Sequence, residues 1–197
     1  MLLPISIPTS AHAADYEVDR AFIADGTAKY AAAGNSTALR TFNAITIEAW
    51  IRPTASCAGN IIAKLNDYAL YCISGELAYA FGGTSTAWTG VATGVTAPVN
   101  EWHHVAISRP AGTNATYLYL DGQLTYSGTA DGATTTAIKS STGTFLNIGA
   151  RGQSTTYFIG AIDEVRIFNA WRSEAQIAAD MHTWGDLGLS SVVGYYD

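Results

Sequence analysis

Ile45-Thr46-Ile47-Glu48-Ala49-Trp50-Ile51 alternates with a period near two, the pattern of a β-strand with one face turned to a core. Working outward, residues 60–65 and 68–74 flank Asn66-Asp67 and read as a hairpin. Trp102-His103-His104-Val105-Ala106-Ile107-Ser108 follows, then Thr116-Tyr117-Leu118-Tyr119-Leu120, which runs into Asp121-Gly122. That dipeptide supplies the positive φ angles of a tight turn, so residues 123–126 are expected to return antiparallel. Residues 145–148 make another strand, and 157–169 a long one broken by Gly160, where a bulge or a close backbone approach is expected. Some dozen short strands separated by Gly and Asp turns predict an all-β sandwich.

The only helix predicted lies near the C-terminal end. Ser173 and Gln176 have the spacing of a capping box, Ile177 and Met181 share a face, and Gly185 and Gly188 close the helix. Ser191-Val192-Val193-Gly194-Tyr195-Tyr196 then reads as a strand that completes a sheet. Trp50 and Trp102, each in an alternating stretch, are expected as core rings.

Charged residues make up 13% of the 197, about half the ~25% usual for soluble domains, and the net charge is −6. With 11% aromatics the chain does not have the composition of a disordered protein. The ten basic residues are scattered singly, so no patch is expected to track nucleic-acid phosphates. No apolar run reaches the ~18 residues of a membrane-spanning helix. Residues 1–20 stand apart as an extended arm before a domain over 21–197. Ala11-His12-Ala13 suits a leader cleavage site, but Pro4 and Pro8 interrupt the apolar run and no basic residues precede it. Two readings therefore stay open: a leader remnant, or an arm that docks on its own domain or on a neighbouring subunit.

Five fragments in order carry a resemblance. They are Ile45-Thr46-Ile47-Glu48-Ala49-Trp50-Ile51, Glu101-Trp102-His103-His104-Val105-Ala106, Tyr117-Leu118-Tyr119-Leu120-Asp121-Gly122, Leu146-Asn147-Ile148-Gly149, and Phe158-Ile159-Gly160-Ala161-Ile162-Asp163-Glu164-Val165-Arg166-Ile167-Phe168. This succession resembles the laminin G-like domains of the concanavalin A-like lectin/glucanase superfamily over about residues 21–197. The resemblance implies a jelly-roll sandwich of two antiparallel sheets, one of them concave, with one short C-terminal helix.

It also sets the chemistry to test. The superfamily's glucanases resemble one another in a Glu-x-Asp-x-x-Glu-type strand, which holds two carboxyls at the ~5 Å a retaining mechanism needs. The nearest pattern here, Asp15-Tyr16-Glu17-Val18-Asp19, lies in the arm. Asp163 and Glu164 are adjacent and expected on opposite faces of a strand, as are His103 and His104, which therefore do not grip a metal jointly. The chain reads as non-catalytic. The resemblance further implies a calcium ion between an Asp-Gly loop, here Asp25-Gly26, and Asp163, although Lys29 stands where relatives often supply an acid. The alternative for these two is an ordinary turn aspartate and a backbone-bonded one.

Trp88, in Gly82-Gly83-Thr84-Ser85-Thr86-Ala87-Trp88-Thr89-Gly90, is the candidate aromatic platform for a glycan, with Tyr157 second; loop anchoring or a subunit contact would equally explain Trp88. Counting back from Asn66-Asp67 brings Cys72 opposite about Ile61, so a Cys57–Cys72 disulfide needs a bulge or a fold-back, and reduced thiols remain the alternative. Two functions follow as expectations. One is a structural or adhesive subunit of a virion or cell-surface assembly, with neighbouring subunits as partners through the arm and surface glycans as further partners. The other is a secreted lectin-like module, with or without calcium. Both place the protein outside the cell or on a surface.

Overall fold

The computed structural model describes residues 21–40, 42–82, 90–129, 138, 141–152 and 156–196. Among these residues, strand β3, Ile45–Pro53, shows how the sandwich is built. Its odd-numbered apolar residues Ile45, Ile47, Ala49 and Ile51 enter the core between two sheets. Thr46, Glu48 and Trp50 on the other face are buried as well.

The remaining strands are β1 Phe22–Asp25, β2 Ala31–Ala32, β4 Gly59–Lys64, β5 Tyr68–Ile73, β6 Glu76–Phe81, β7 Val91–Thr96, β8 His103–Arg109, β9 Ala115–Leu120, β10 Gln123–Thr129, β11 Leu146–Ile148, β12 Ile159–Phe168 and β13 Val192–Tyr196. They form two antiparallel sheets. One runs β1-β12-β3-β8-β9-β10 with β13 also on β12, and the other runs β2-β11-β4-β5-β6-β7. Ile47, Ile51, Val105 and Ile107 of the first sheet share one cluster with Ile62, Leu70, Tyr79, Phe81 and Leu146 of the second. This is the all-β sandwich that the alternation predicts, in the two-sheet jelly-roll form that the resemblance implies.

Helix α1, Glu174–Asp180, starts at Ser173, whose hydroxyl accepts from the Gln176 N–H while the Gln176 side chain accepts from the Ser173 N–H, as the capping box predicts. It ends at Asp180, five residues before Gly185, so the glycines do not stop it. Ile177 packs on Ala106, Tyr117 and Tyr119, on the outer face of the seven-stranded sheet. Trp50 lies on that same face and donates its indole N–H to the Met181 carbonyl at 3.2 Å. Trp50 is therefore buried, but beneath the C-terminal segment and not between the sheets. Trp102 is half-buried just ahead of β8, with the Arg52 guanidinium 5.9 Å from its ring centroid. The expectation of two core rings is corrected in both cases: alternation marks a buried face without saying what buries it.

Two of the bulges among the described residues bear on the site. At Gly160 the close approach is real, because a Cβ there would lie 2.3 Å from the Arg52 carbonyl oxygen. The shift in register falls further on, between Asp163 and Arg166, with Glu164 at φ 47°. Two residues, Asp163 and Glu164, thus separate inward Ile162 from inward Val165. The strict opposition expected of these carboxylates is lost. The second bulge is in β4, where Asn60 pairs with Tyr71 but Ile62 pairs with Leu70. Ile61 is the extra residue, and Cys72 faces Gly59 where simple counting places Ile61.

Candidate functional site

The β4 bulge decides what the outer face of the six-stranded sheet presents. In β5, Tyr68, Leu70 and Cys72 point into the core, which leaves Ala69, Tyr71 and Ile73 outward. The extra residue turns Asn60 to the outer face beside Tyr71. A groove of about 210 Å³ opens there, lined by Asn60, Tyr71, Ile73, Gly90, Arg151 and Thr156 among others.

Each wall has a local cause. Gly59 has φ 85°, and a Cβ there would fall 2.0 Å from the Tyr157 carbonyl oxygen, so only glycine lets that backbone cross so close. The crossing holds Thr156 beside Asn60. The Asn60 backbone N–H donates to the Thr156 carbonyl at 3.0 Å, and its side-chain amide donates to the Thr156 hydroxyl at 2.9 Å. Thr156 sits at φ 52°, a conformation that β-branched residues rarely adopt and that persists only where its surroundings enforce it. On the opposite side a Cβ at Gly90 would meet the Tyr71 hydroxyl oxygen at 1.4 Å, so residue 90 makes room for the phenol. Burial raises the Tyr71 phenol above its ordinary value, and the Arg151 charge pulls it back. Tyr71 is therefore a neutral hydroxyl with a cation nearby.

The expected metal pair is not brought together. Asp25 is level with Ile159 and Phe22 with Ile162, which sets Asp163 four residues along from Asp25, about 13 Å of extended strand. Carboxylates sharing one Ca²⁺ each need an oxygen ~2.4 Å from it. Asp25 Oδ1 instead accepts from the Thr27, Ala28 and Lys29 backbone N–H groups and the Thr27 hydroxyl at 3.0–3.3 Å. These donors, with Thr27 the largest contributor, hold its carboxyl well below the usual range. The Asp163 carboxylate accepts from the Glu164 N–H at 2.8 Å. The two residues do not fit one ion, and the turn-aspartate alternative describes Asp25.

Cys57 and Cys72 are joined, with Cα atoms 5.3 Å apart. The bulge supplies what the bridge needs, because Gly59 in place of Ile61 faces Cys72. Tyr157 stands next to the groove, its ring 6.3 Å from that of Tyr30, while its neighbour Thr156 forms the wall. Trp88 lies outside the described residues, as does the arm of residues 1–20 with Asp15, Glu17 and Asp19. His103 and His104 part as expected: His103 Nδ1 is 2.9 Å from the Asp121 carboxylate, and the His104 ring lies edge-on to Trp50.

Sequence reasoning missed Asn60, Tyr71, Arg151 and Thr156. Tyr71 alone left a signal, as the polar member of Ala69-Leu70-Tyr71-Cys72 on the face opposite Leu70. It also missed a second polar assembly, under the C-terminal segment. There the buried Arg166 guanidinium bonds Glu48 and Glu164 and the carbonyls of Asp180, Thr183 and Gly185. Arg172 pairs with Asp180 in the same layer.

Residues 25–178 match a laminin G-type family model described as the concanavalin A-like lectin/glucanases superfamily. No curated protein sequence matches the chain. Among solved structures, a candidate carbohydrate-binding protein from Bacteroides ovatus superposes with a TM-score of 0.66 at 19% identity, over 90% of this chain and 51% of that one. The chain thus spans about half the length of that protein. Domain 4 of AbnA, a GH43 extracellular arabinanase from Geobacillus stearothermophilus in complex with arabinotriose, gives 0.56 at 18% identity, over 79% of this chain and 85% of that domain. The binding domain of botulinum neurotoxin serotype G gives 0.62 at 13% identity, over 79% and 41%. At such identities these likenesses establish a shared fold.

Proposed function

The chain belongs to the laminin G-like part of the concanavalin A-like lectin/glucanase superfamily, and from that premise we propose that it is a non-catalytic, lectin-like module that binds glycans in the Tyr71 groove. The observation that carries the reading is the wall built from Gly59, Asn60 and strained Thr156, which sets hydroxyl and amide groups around an aromatic ring. Sugars are bound by such a mixture of ring and directional polar groups. The outer face of the other sheet is closed by the chain's own C-terminal segment, which leaves this face for a ligand. Two of the superposed structures are carbohydrate-binding by description, one with an arabinose oligomer bound, and they support the same class.

Non-catalysis is supported by where the acids sit. Glu48, Asp163, Glu164 and Asp180 are buried, and no carboxylate is among the described residues lining the groove. A Cys57–Cys72 bridge suits an oxidising, extracellular setting. No helix among the described residues is long and apolar enough to cross a membrane. Isothermal titration of the full chain against a panel of soluble oligosaccharides tests the function. At least one should bind, Tyr71→Ala should weaken it about tenfold or more with the melting curve unchanged, and a chelator should leave it unaltered. A panel without binders, or a Tyr71→Ala variant that binds like the parent, sinks the proposal. Trp88, two residues before Gly90, belongs in the same series as a further contact candidate.

A role in a surface assembly is the second reading, and one feature favours it. A cleft of about 490 Å³ opens between the sheet edges where Phe22, Ala32, Ile162 and Tyr196 meet, next to the point where residues 1–20 join the domain. An arm carrying Leu3, Ile5 and Ile7 has apolar side chains to offer such a cleft on a neighbouring copy. Light scattering should then show a concentration-dependent oligomer that is lost on deleting residues 1–20. A monomer at all concentrations rejects the assembly reading.

A further inference from the structure

We infer that the groove selects its sugar through one free hydroxyl, which donates to Asn60 Oδ1 and at the same time accepts from the Thr156 hydroxyl; this rests on the proposed glycan-binding function and names what its ligand must present. Asn60 is 4% exposed, and its amide has a fixed sense. The amide nitrogen lies 3.2 Å from the Thr156 carbonyl oxygen and 2.9 Å from the Thr156 hydroxyl oxygen. A carbonyl oxygen only accepts, so the NH2 group and not Oδ1 must face it. Oδ1 is left on the groove side, where no donor among the described residues reaches it. Thr156 is exposed, and its hydroxyl already accepts from the amide, which directs its own proton away from Asn60. An acceptor on a buried residue and a donor beside it thus border one hollow.

One hydroxyl fits both groups. The oxygen and nitrogen of an amide are ~2.3 Å apart, so Asn60 Oδ1 lies at most about 5 Å from the Thr156 hydroxyl oxygen. A hydroxyl oxygen ~2.8 Å from each spans that distance. It closes a ring of hydrogen bonds, amide to threonine, threonine to sugar and sugar to amide, in which each bond polarises the next. A fluorine or a methyl ether in its place has no proton to give Oδ1, and a hydrogen leaves both protein groups unpaired. Leaving a buried acceptor unpaired is costly, which is how a site built for a hydroxyl rejects the analogue that lacks it. The wall holds the pair in register: the Asn60 backbone N–H donates to the Thr156 carbonyl at 3.0 Å, and Thr156 keeps its φ of 52°. Tyr71, opposite Asn60 in the sheet, offers its ring to the rest of the sugar.

The test titrates the full chain by NMR with the methyl glycosides of glucose, galactose, mannose and arabinose, each beside its monodeoxy and monofluoro forms. Tyr71→Ala and Thr156→Val are compared with the parent, with thermal melts as the folding check; valine keeps the β-branch that position 156 already accommodates. For a glycoside that binds, the deoxy and fluoro forms at one ring position should both bind about tenfold or more weakly. Thr156→Val should weaken the glycoside itself severalfold and leave the deoxy form at that position almost unchanged, so the two losses do not add. The sugar series reads the same contact without any variant, so a Thr156→Val protein that misfolds leaves it decisive. If binding depends on Tyr71 but every deoxy and fluoro form stays within about twofold of its glycoside, the glycan site stands and the shared hydroxyl is refuted. Losses that add across Thr156→Val and the deoxy sugar refute it as well. If no glycoside shows Tyr71-dependent binding, the site itself fails and the shared hydroxyl with it.

Discussion

Glu48 lies on the buried outer face of β3, 3.3 Å from Arg166 Nη1 and 3.8 Å from His104 Nε2. Arg166 also bonds Glu164 and Arg172 also bonds Asp180, so both cations of this layer have another carboxylate and Glu48 is surplus. Asp121, which accepts from the His104 N–H, and His182 are the other titratable groups acting on His104. Burial therefore pushes Glu48 up to about 7, and pushes the His104 imidazole, also facing Arg166, down to about 3. The signs oppose. Between about 4.5 and 7 the folded Glu48 holds a proton that the unfolded chain has lost, so its contribution to stability falls as pH rises. Between about 3 and 6.5 folded His104 stays neutral while the unfolded imidazole is charged, so its contribution rises with pH. In the overlap the two slopes cancel. Glu48→Gln keeps the neutral shape and removes one slope, so its stability should rise by up to about 3 kcal/mol relative to the parent's profile across roughly two pH units. Urea unfolding at half-unit pH steps measures this, and parallel profiles for the two proteins would refute a Glu48 carboxyl raised by burial.

At the scale of elements, the segment between β12 and β13 is what the sequence conceals. Its capping box is legible because Ser173 and Gln176 are neighbours in the chain. Its position is not, because Thr46, Glu48 and Ser108 look like the solvent side of alternating strands. Yet they are buried: the Arg172 N–H reaches Thr46 and Ser108 from over sixty residues away, and Arg166 bonds Glu48. The same blindness covers Asn60, whose outward turn depends on one extra residue, Ile61, and no period reveals a bulge between two apolar residues. The strands and the fold class, by contrast, are written in local alternation. Arg166 fastens the segment by bonding the Asp180, Thr183 and Gly185 carbonyls, while Glu164 accepts from the Gly185 N–H at 3.1 Å. Arg166→Met should cost about 3–5 kcal/mol, since Glu48 and Glu164 would lose their buried partner. Amides of residues 181–185 should exchange faster, and the Trp50 emission should shift to the red. Ser173→Ala removes only the cap and should cost about 1 kcal/mol. Equal losses from the two variants would mean the layer is held by the helix and not by the arginine.

Across the whole molecule, the Cys57–Cys72 bridge couples stability to the proposed site. Cys72 is buried at 4% exposure and Cys57 at 2%, on the core side of the sheet whose outer face carries the groove. The bridge spans 15 residues, enclosing the β4–β5 hairpin and the bulge that turns Asn60 outward. Closing a loop of that length removes about 3 kcal/mol of unfolded-chain entropy. The buried Lys64–Asp67 pair closes the other end of the hairpin, where Lys64 Nζ also donates to the Ser141 carbonyl at 2.8 Å. A variant with Cys57→Ser and Cys72→Ser should therefore remain folded, because the hairpin is still clamped at its turn, but unfold at lower denaturant. Its loss should approach about 3 kcal/mol, and glycan affinity should fall as well because Gly59 and Asn60 are freed at the open end of the hairpin. Since both sulfurs are buried, a mild reductant alone should leave the folded parent unchanged, whereas reductant with denaturant should reproduce the variant's midpoint. If the double variant unfolds at the parent's midpoint, the bridge adds no stability. If stability falls but affinity does not, the Gly59–Tyr157 crossing alone holds the groove in shape.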